Sequence, residues 1–458
     1  MTLVRGFLAD VPDDPFRGGA LRTETDGGLV VLGGEIVARG GFAALQRDWP
    51  DEPVLDLRGG VVVPGFVDTH VHFPQVRIAG GLGIPLLEWL DQLALPEEAR
   101  LADAAYARAV AGELIDGLLR AGTTSALVFG SHFPAAVDEL FATADGAGFR
   151  LTAGVVVSDL ALREDLLVTP EQARTGSLAV AGRWHGQGRF AGQGKAAAGQ
   201  DRAQGQLAGQ GQLPGHGRSR LRYAVTPRFS HSCTEAMLEV CGDVAAAVPG
   251  AFVTSHVNEN DAEIRAVTER FGTSYVETYE RHRLLSPRTV LAHNVHPSDA
   301  ELARLAERDT AIAHCPSSNS GLGSGSFPLR RHLDHGIRVA LGTDVAGGTS
   351  LSLLREGLQA FFVQQLLGER GVRLGPAELL WLATGAGAAA LDLPEVGALS
   401  VGRRFDSVWL RPAPGSPLEV PWRHTESEAD AIARLFTLAT PADIAGVWID
   451  GVQVHPAG

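Results

Sequence analysis

Residues 61–75 read VVVPGFVDTHVHFPQ, an apolar run that stops on two histidines one residue apart. Side chains alternate between the faces of a strand. His70 and His72 therefore share a face, and Asp68 shares it with them. Other apolar runs end on residues of similar chemistry. Arg228 and Phe229 follow LRYAVTP, His256 stands in HVNEN with Glu259 three residues on, His293 stands in LAHNVH, and Asp344 in LGTDVAGG. Neutral imidazoles with one carboxylate suit Zn²⁺ or Fe²⁺ better than Mg²⁺ or Ca²⁺, which prefer all-oxygen shells. The expected ligands are His70, His72, His256 and Asp344, with one position left for water. Such an ion lowers the pKa of bound water from ~15.7 to about 7, so that hydroxide exists at neutral pH.

These residues can meet only if the elements carrying them end at one place. Apolar strand candidates lie at 61–70, 123–129, 150–157, 221–228, 251–257, 289–294, 311–315 and 338–344. Amphipathic stretches separate most of them. DAAYARAVAGELIDGLLRAG, residues 103–122, has the 3–4 residue apolar spacing of a helix and closes on Gly122. Eight strands alternating with helices predict an α/β fold, a (β/α)₈ TIM-type barrel, whose strand ends ring a single mouth. The rival is an open doubly wound sheet, but no GxGxxG follows a first strand.

Residues 1–62 and 396–458 carry short extended pieces punctuated by glycine, such as GGLVVLGGEIVARGG and IAGVWIDGVQV. They are expected to meet in one small β-sandwich, leaving 63–395 for the barrel. Residues 185–220 are rich in Gly, Gln and Ala and poor in apolar residues. They are expected to form a flexible insertion, with His185 and His216 solvated.

The formal net charge of −14 disfavours a polynucleotide substrate and fits a small neutral one. Three cysteines without a CxxC point to a reducing compartment and no disulfide framework. The first thirty residues lack a basic start followed by an apolar core, and no run approaches a membrane span. A cytoplasmic location, with no membrane partner, is the expectation.

An HxH after the first strand, single histidines after the fifth and sixth, and Asp after the eighth resemble the amidohydrolase superfamily. The strings PGFVDTHVHFPQ, TPRFS, HVNEN, HCPSSN and GTDVAGGTSLSLL are similar to the guanine deaminases, a family of mononuclear metal-dependent deaminases within it. The resemblance covers nearly the whole chain apart from the insertion, and HFPQ and PRF are its narrowest parts. It implies hydrolysis of guanine to xanthine and ammonia by attack of metal-bound hydroxide on the amino-bearing ring carbon. It further implies that Gln75 and Arg228 hydrogen-bond the purine edges and that Phe229 packs on the ring. Glu259 becomes the proton shuttle, Asp344 takes the proton of the water, and His293 positions water and substrate. A homodimer is implied as well. Another heterocycle, such as cytosine, a pterin, a triazine or an oxidised purine, is the alternative substrate. Many amidohydrolases bridge two metals through a carboxylated lysine at the fourth strand. The single lysine here, Lys195, lies in the insertion, so one metal is expected, zinc before iron.

Other polar residues near the mouth carry plainer expectations. Asp68 is expected to orient the histidine pair. His314 is expected to be a hydrogen-bonded barrel histidine, and Cys233 and Cys315 buried neutral thiols. Ser317, Ser318 and Asn319 either shape the pocket or close a turn. His132 receives no role.

Overall fold

The computed structural model describes residues 1–81, 83–189 and 219–455. Eight parallel strands follow one another in space in chain order: β1 (Phe66–His72), β2 (Thr123–Phe129), β3 (Arg150–Ala153), β4 (Ser219–Pro227), β5 (Phe252–Val257), β6 (Thr289–His293), β7 (Ala311–His314) and β8 (Val339–Leu341). β8 returns to β1. Thr69 Oγ1 donates to the Leu341 carbonyl at 2.8 Å, and the Asp344 amide donates to the His70 carbonyl at 2.8 Å. The sheet is thus the expected (β/α)₈ barrel. Its strands are buried along almost their whole length, as in a parallel sheet covered by helices on the outside.

The helix Ala104–Arg120 shows how the sequence builds the outer layer. Asp103 caps it, its carboxylate accepting from the amides of Ala105 and Tyr106. Val110, Ala111, Leu114, Ile115 and Leu118 form its buried stripe. Each large side chain so buried contributes roughly 1.5–3 kcal/mol. Gly122, at φ +83°, ends the helix in a conformation that disfavours other residues, as its position in the sequence predicts.

Both chain ends enter one seven-stranded sheet. Its order is Val452–His455, Ile444–Ile449, Ser407–Leu410, Val54–Pro64, Thr2–Asp10, Arg22–Leu32 and Glu35–Gly41. The apolar run at 61–70 is therefore two strands rather than one. Val61–Val63 belong to the terminal sheet, paired antiparallel with Val408–Leu410, and β1 begins only at Phe66. The break is Gly65. Its amide donates to the Asp406 carbonyl at 2.9 Å, and a Cβ there would lie 2.1 Å from Thr124 Oγ1. Arg150, at the start of β3, joins the two sheets. Its guanidinium donates to Asp406 and Asp450 at 2.5 Å each, and it is 2% exposed.

The third strand candidate, 150–157, is also divided, into β3 and a short pair Val156–Val157. Residues 190–218, the greater part of the expected insertion and including Lys195 and His216, lie outside the described residues. The ends of that segment are structured: Gln187–Arg189 pairs antiparallel with β4. His185 is not simply solvated. Its Nδ1 accepts from the Tyr223 amide at 3.0 Å, and its Nε2 lies 3.1 Å from the Pro249 carbonyl. No helix among the described residues is long and apolar enough to cross a membrane.

Candidate active site

The carboxyl ends of β1, β5 and β8 bring His70, His72, His256 and Asp344 together, one ligand atom from each lying within 4.8 Å of all the others. His70 Nε2 and His72 Nε2 lie 3.3 and 3.2 Å from Asp344 Oδ1, and the Nε2 atoms of His72 and His256 are 3.1 Å apart. All four residues are buried. His293 lies alongside, its Nε2 3.8 Å from Asp344 Oδ2 and 3.5 Å from Glu259 Oε2.

The donor set fits a divalent metal. Burial depresses the imidazoles of His70 and His72, that of His72 to about 4, so both are neutral. Burial and the neighbouring histidines hold His256 well below its ordinary value. Its Nδ1 donates to the Arg228 carbonyl at 2.6 Å, which leaves the Nε2 lone pair facing the cluster. Burial pushes the Asp344 carboxyl up, but the rings of His70 and His72 beside it, then that of His293, outweigh it and hold the group well below the usual range. Among the described residues, His70 Nε2 is buried without a hydrogen-bond partner. Three imidazole lone pairs and an anion facing one another, one of them unpaired, are costly without a cation.

Asp68 fastens this arrangement through the main chain rather than through a ring. Its Oδ1 accepts from the amides of His70 and Thr343, both at 3.1 Å, and its Oδ2 accepts from Thr343 Oγ1 at 2.5 Å. One carboxylate so ties the end of β1 to the end of β8. Burial pushes it up to about 7 against those bonds.

A pocket opens above the cluster. Gln75, Arg228, Phe229, Glu259, His293 and Asp344 line it, with an apolar wall of Leu86, Trp89, Leu90 and Leu322. Gln75 sits in the short helical turn Phe73–Ile78, and Arg228 and Phe229 directly follow β4. Glu259 accepts from Ser324 Oγ at 2.9 Å. Burial, then the charge of Asp344, push its carboxyl above the ordinary glutamate range, so it is poised to hold a proton. His293 Nδ1 lies 2.8 Å from Asn319 Oδ1, which turns its Nε2 towards Glu259 and Asp344. Asn319 thus shapes the site rather than merely closing a turn.

Glu98 and His132 belong to the site without having been singled out in the sequence. Glu98 is 2% exposed; its Oε2 accepts from Arg228 Nη1 at 2.6 Å and its Oε1 from Gln75 Nε2 at 2.8 Å. His132 Nε2 lies 3.5 Å from Glu98 Oε2. Burial would raise the Glu98 carboxyl, but Arg228 and His132 hold it well below the ordinary range. The only available signal was indirect: a buried arginine beside a metal needs an acid. His314 departs from its expectation. Neither ring nitrogen has a hydrogen-bond partner among the described residues; the ring stacks on Phe327 at 4.2 Å, and burial lowers it to about 3. Cys233, Cys241 and Cys315 are buried free thiols, all three pushed up by burial.

The amidohydrolase family model matches residues 61–454. The chain belongs to this family of metal-dependent hydrolases. Among its relatives, a probable guanine deaminase of Deinococcus radiodurans is 51% identical over 98% of both chains. The guanine deaminase of Escherichia coli is 33% identical over 99% of this chain and 97% of its own. The solved E. coli guanine deaminase superposes with a TM-score of 0.89, covering all of both chains at 33% identity. That from Bradyrhizobium japonicum also reaches 0.89, at 28% identity over 100% of this chain and 99% of the other.

Proposed function

We propose that the protein is a guanine deaminase, converting guanine and water to xanthine and ammonia. One observation carries this reading. Gln75, Arg228, Phe229 and Glu259 line a single pocket over the histidine–aspartate cluster, so purine-reading groups and a proton carrier face one candidate metal centre. The full-length likeness to guanine deaminases supports the choice of substrate.

His70, His72, His256 and Asp344 would hold the metal, a single ion and zinc in preference to iron, given three imidazoles and one carboxylate. When bound, such a cation lowers the pKa of coordinated water from ~15.7 to about 7. The remaining work falls to this chain's own groups. Asp344 accepts the proton of the attacking water. Glu259, protonated in its buried setting, gives a proton to the ring nitrogen next to the reacting carbon, where negative charge develops. As the carbon–nitrogen bond breaks, the amine leaves as ammonia, having received the proton taken from water, and the hydroxyl on the reacting carbon returns its proton to Glu259 as the carbonyl of xanthine forms. His293, held by Asn319, lies between Glu259 and Asp344 and orients the groups that exchange protons. Arg228 and Gln75 bond the polar edges of the purine, and Phe229 with Leu86, Trp89 and Leu90 covers its faces and excludes water. The three buried free thiols are in keeping with a reducing compartment such as the cytoplasm.

A panel of guanine, cytosine, a pterin, a triazine and an oxidised purine, assayed for ammonia release by the metal-loaded protein, tests the substrate. Guanine is expected to give the highest kcat/KM. An inert guanine beside a fast alternative ring would replace the substrate while leaving the chemistry in place.

A further inference from the structure

The two residues proposed to read the purine edge share a partner, Glu98, that does not itself line the pocket. The side-chain amide of Gln75 is held at both ends. Its Nε2 donates to Glu98 Oε1 at 2.8 Å, and its Oε1 accepts from the Ala346 amide at 3.3 Å. An ionised carboxylate only accepts, and a main-chain N–H only donates. The amide therefore has one orientation, with its oxygen turned to the main chain and its second N–H left over. The other Glu98 oxygen accepts from Arg228 Nη1 at 2.6 Å, and arginine offers donors alone. Gln75 and Arg228 both line the pocket.

We infer that Glu98 is a positioning residue that makes this edge of the pocket donor-only, and so selects rings presenting a carbonyl or bare ring nitrogen there over rings presenting hydrogen or an amine. The inference rests on the guanine deaminase reading of the same site. A glutamine at position 98 has one acceptor and one donor end. It can satisfy Arg228 or Gln75 in the present geometry but not both. Turning the Gln75 amide to meet it sets Nε2 against the Ala346 N–H, so neither arrangement is satisfied. An aspartate is acceptor-only and keeps the pattern, drawn back by one methylene.

The test measures guanine kcat and KM, together with inhibition constants of hypoxanthine, which has the carbonyl, and unsubstituted purine, which lacks it. Wild-type protein, Glu98→Gln and Glu98→Asp are compared at measured metal content. Wild type is expected to prefer hypoxanthine over purine. In Glu98→Gln that preference should fall about tenfold, the loss in guanine kcat/KM residing mainly in KM, with metal per chain unchanged. Glu98→Asp should raise KM yet keep the preference within about threefold of wild type. If Glu98→Gln fails to fold, the aspartate variant decides alone: preference kept at raised KM supports the role, and preference lost overturns it. A wild type without preference, or a Glu98→Gln protein that keeps wild-type preference or loses only kcat, also overturns it. A wild type that ignores guanine altogether instead removes the underlying reading of the site.

Discussion

The Nδ1 of His256 lies 2.6 Å from the main-chain oxygen of Arg228. One residue thus fixes the tautomer of a candidate metal ligand with its backbone while its guanidinium reaches the pocket. The candidate metal centre and the pocket thus share a single strand end, after β4, and the side-chain and main-chain contacts of Arg228 can be separated by mutation.

Replacing His256 with alanine removes one of the four proposed ligands. The purified variant is expected to hold less than about a tenth of the wild-type metal and to lose deamination in proportion, beyond the 10–100-fold loss typical of disturbing only a supporting group. Elemental analysis of the dialysed protein checks this. Full metal content in the variant would remove His256 from the ligand set.

Replacing Glu259 with glutamine preserves shape but not proton transfer. Metal content should be unchanged, and kcat should fall roughly 10²–10⁴-fold, the usual worth of a positioned acid–base group. Turnover near wild type would assign the proton shuttle elsewhere.

Arg228→Ala is expected to act twice. Guanine KM rises because a donor is lost from the pocket, while metal is retained because the carbonyl that holds His256 remains. The variant also leaves Glu98 buried beside a missing cation, which typically costs about 3–5 kcal/mol. Thermal unfolding should show a lowered Tm, and adding Glu98→Gln to the same chain should recover part of it. Additive losses would mean that the two side chains do not act as a pair.

Glu356 supplies a pH test of stability away from turnover. It is fully buried, accepts from the Ser317 amide at 3.0 Å and Ser317 Oγ at 2.6 Å, and burial pushes it up to about 8 despite those bonds. The folded protein keeps a proton that the unfolded chain releases near the ordinary glutamate pKa of about 4.3. Stability from this group is thus complete below that value, declines as pH rises to about 8, and is level above. Glu356→Gln should flatten the fall in Tm between about pH 5 and 8, measured by thermal unfolding at a series of pH values. Parallel Tm profiles in the two proteins would contradict it.

The sequence made the ends of the barrel strands readable because function punctuates them. His70, His72, His256, His293 and Asp344 each interrupt an apolar run, and a closed barrel sends such interruptions to one mouth. What it concealed was the boundary inside 61–70. Val61–Val63 and Phe66–Val67 are buried in different sheets, yet they read as one apolar stretch in which only Pro64 and Gly65 mark the turn from one to the other. Glu98 was hidden for a related reason. It stands beside Glu97 in a short helix after a proline, where acids ordinarily serve a helix N-terminus. Glu97 binds Tyr106 and Arg100, whereas its neighbour turns inward to Gln75 and Arg228. Nothing in the two residue types distinguishes them; only the arrival of Gln75 and Arg228 from elsewhere in the chain does.

The most direct measurement is the ultraviolet spectrum of guanine incubated with the purified protein, with and without a chelator. The spectrum is expected to convert to that of xanthine with equimolar ammonia, to stop converting once the metal is removed, and to resume when Zn²⁺ is returned. An unchanged guanine spectrum from protein shown to carry its metal, or conversion that continues undiminished after the metal is stripped, would contradict the central claim.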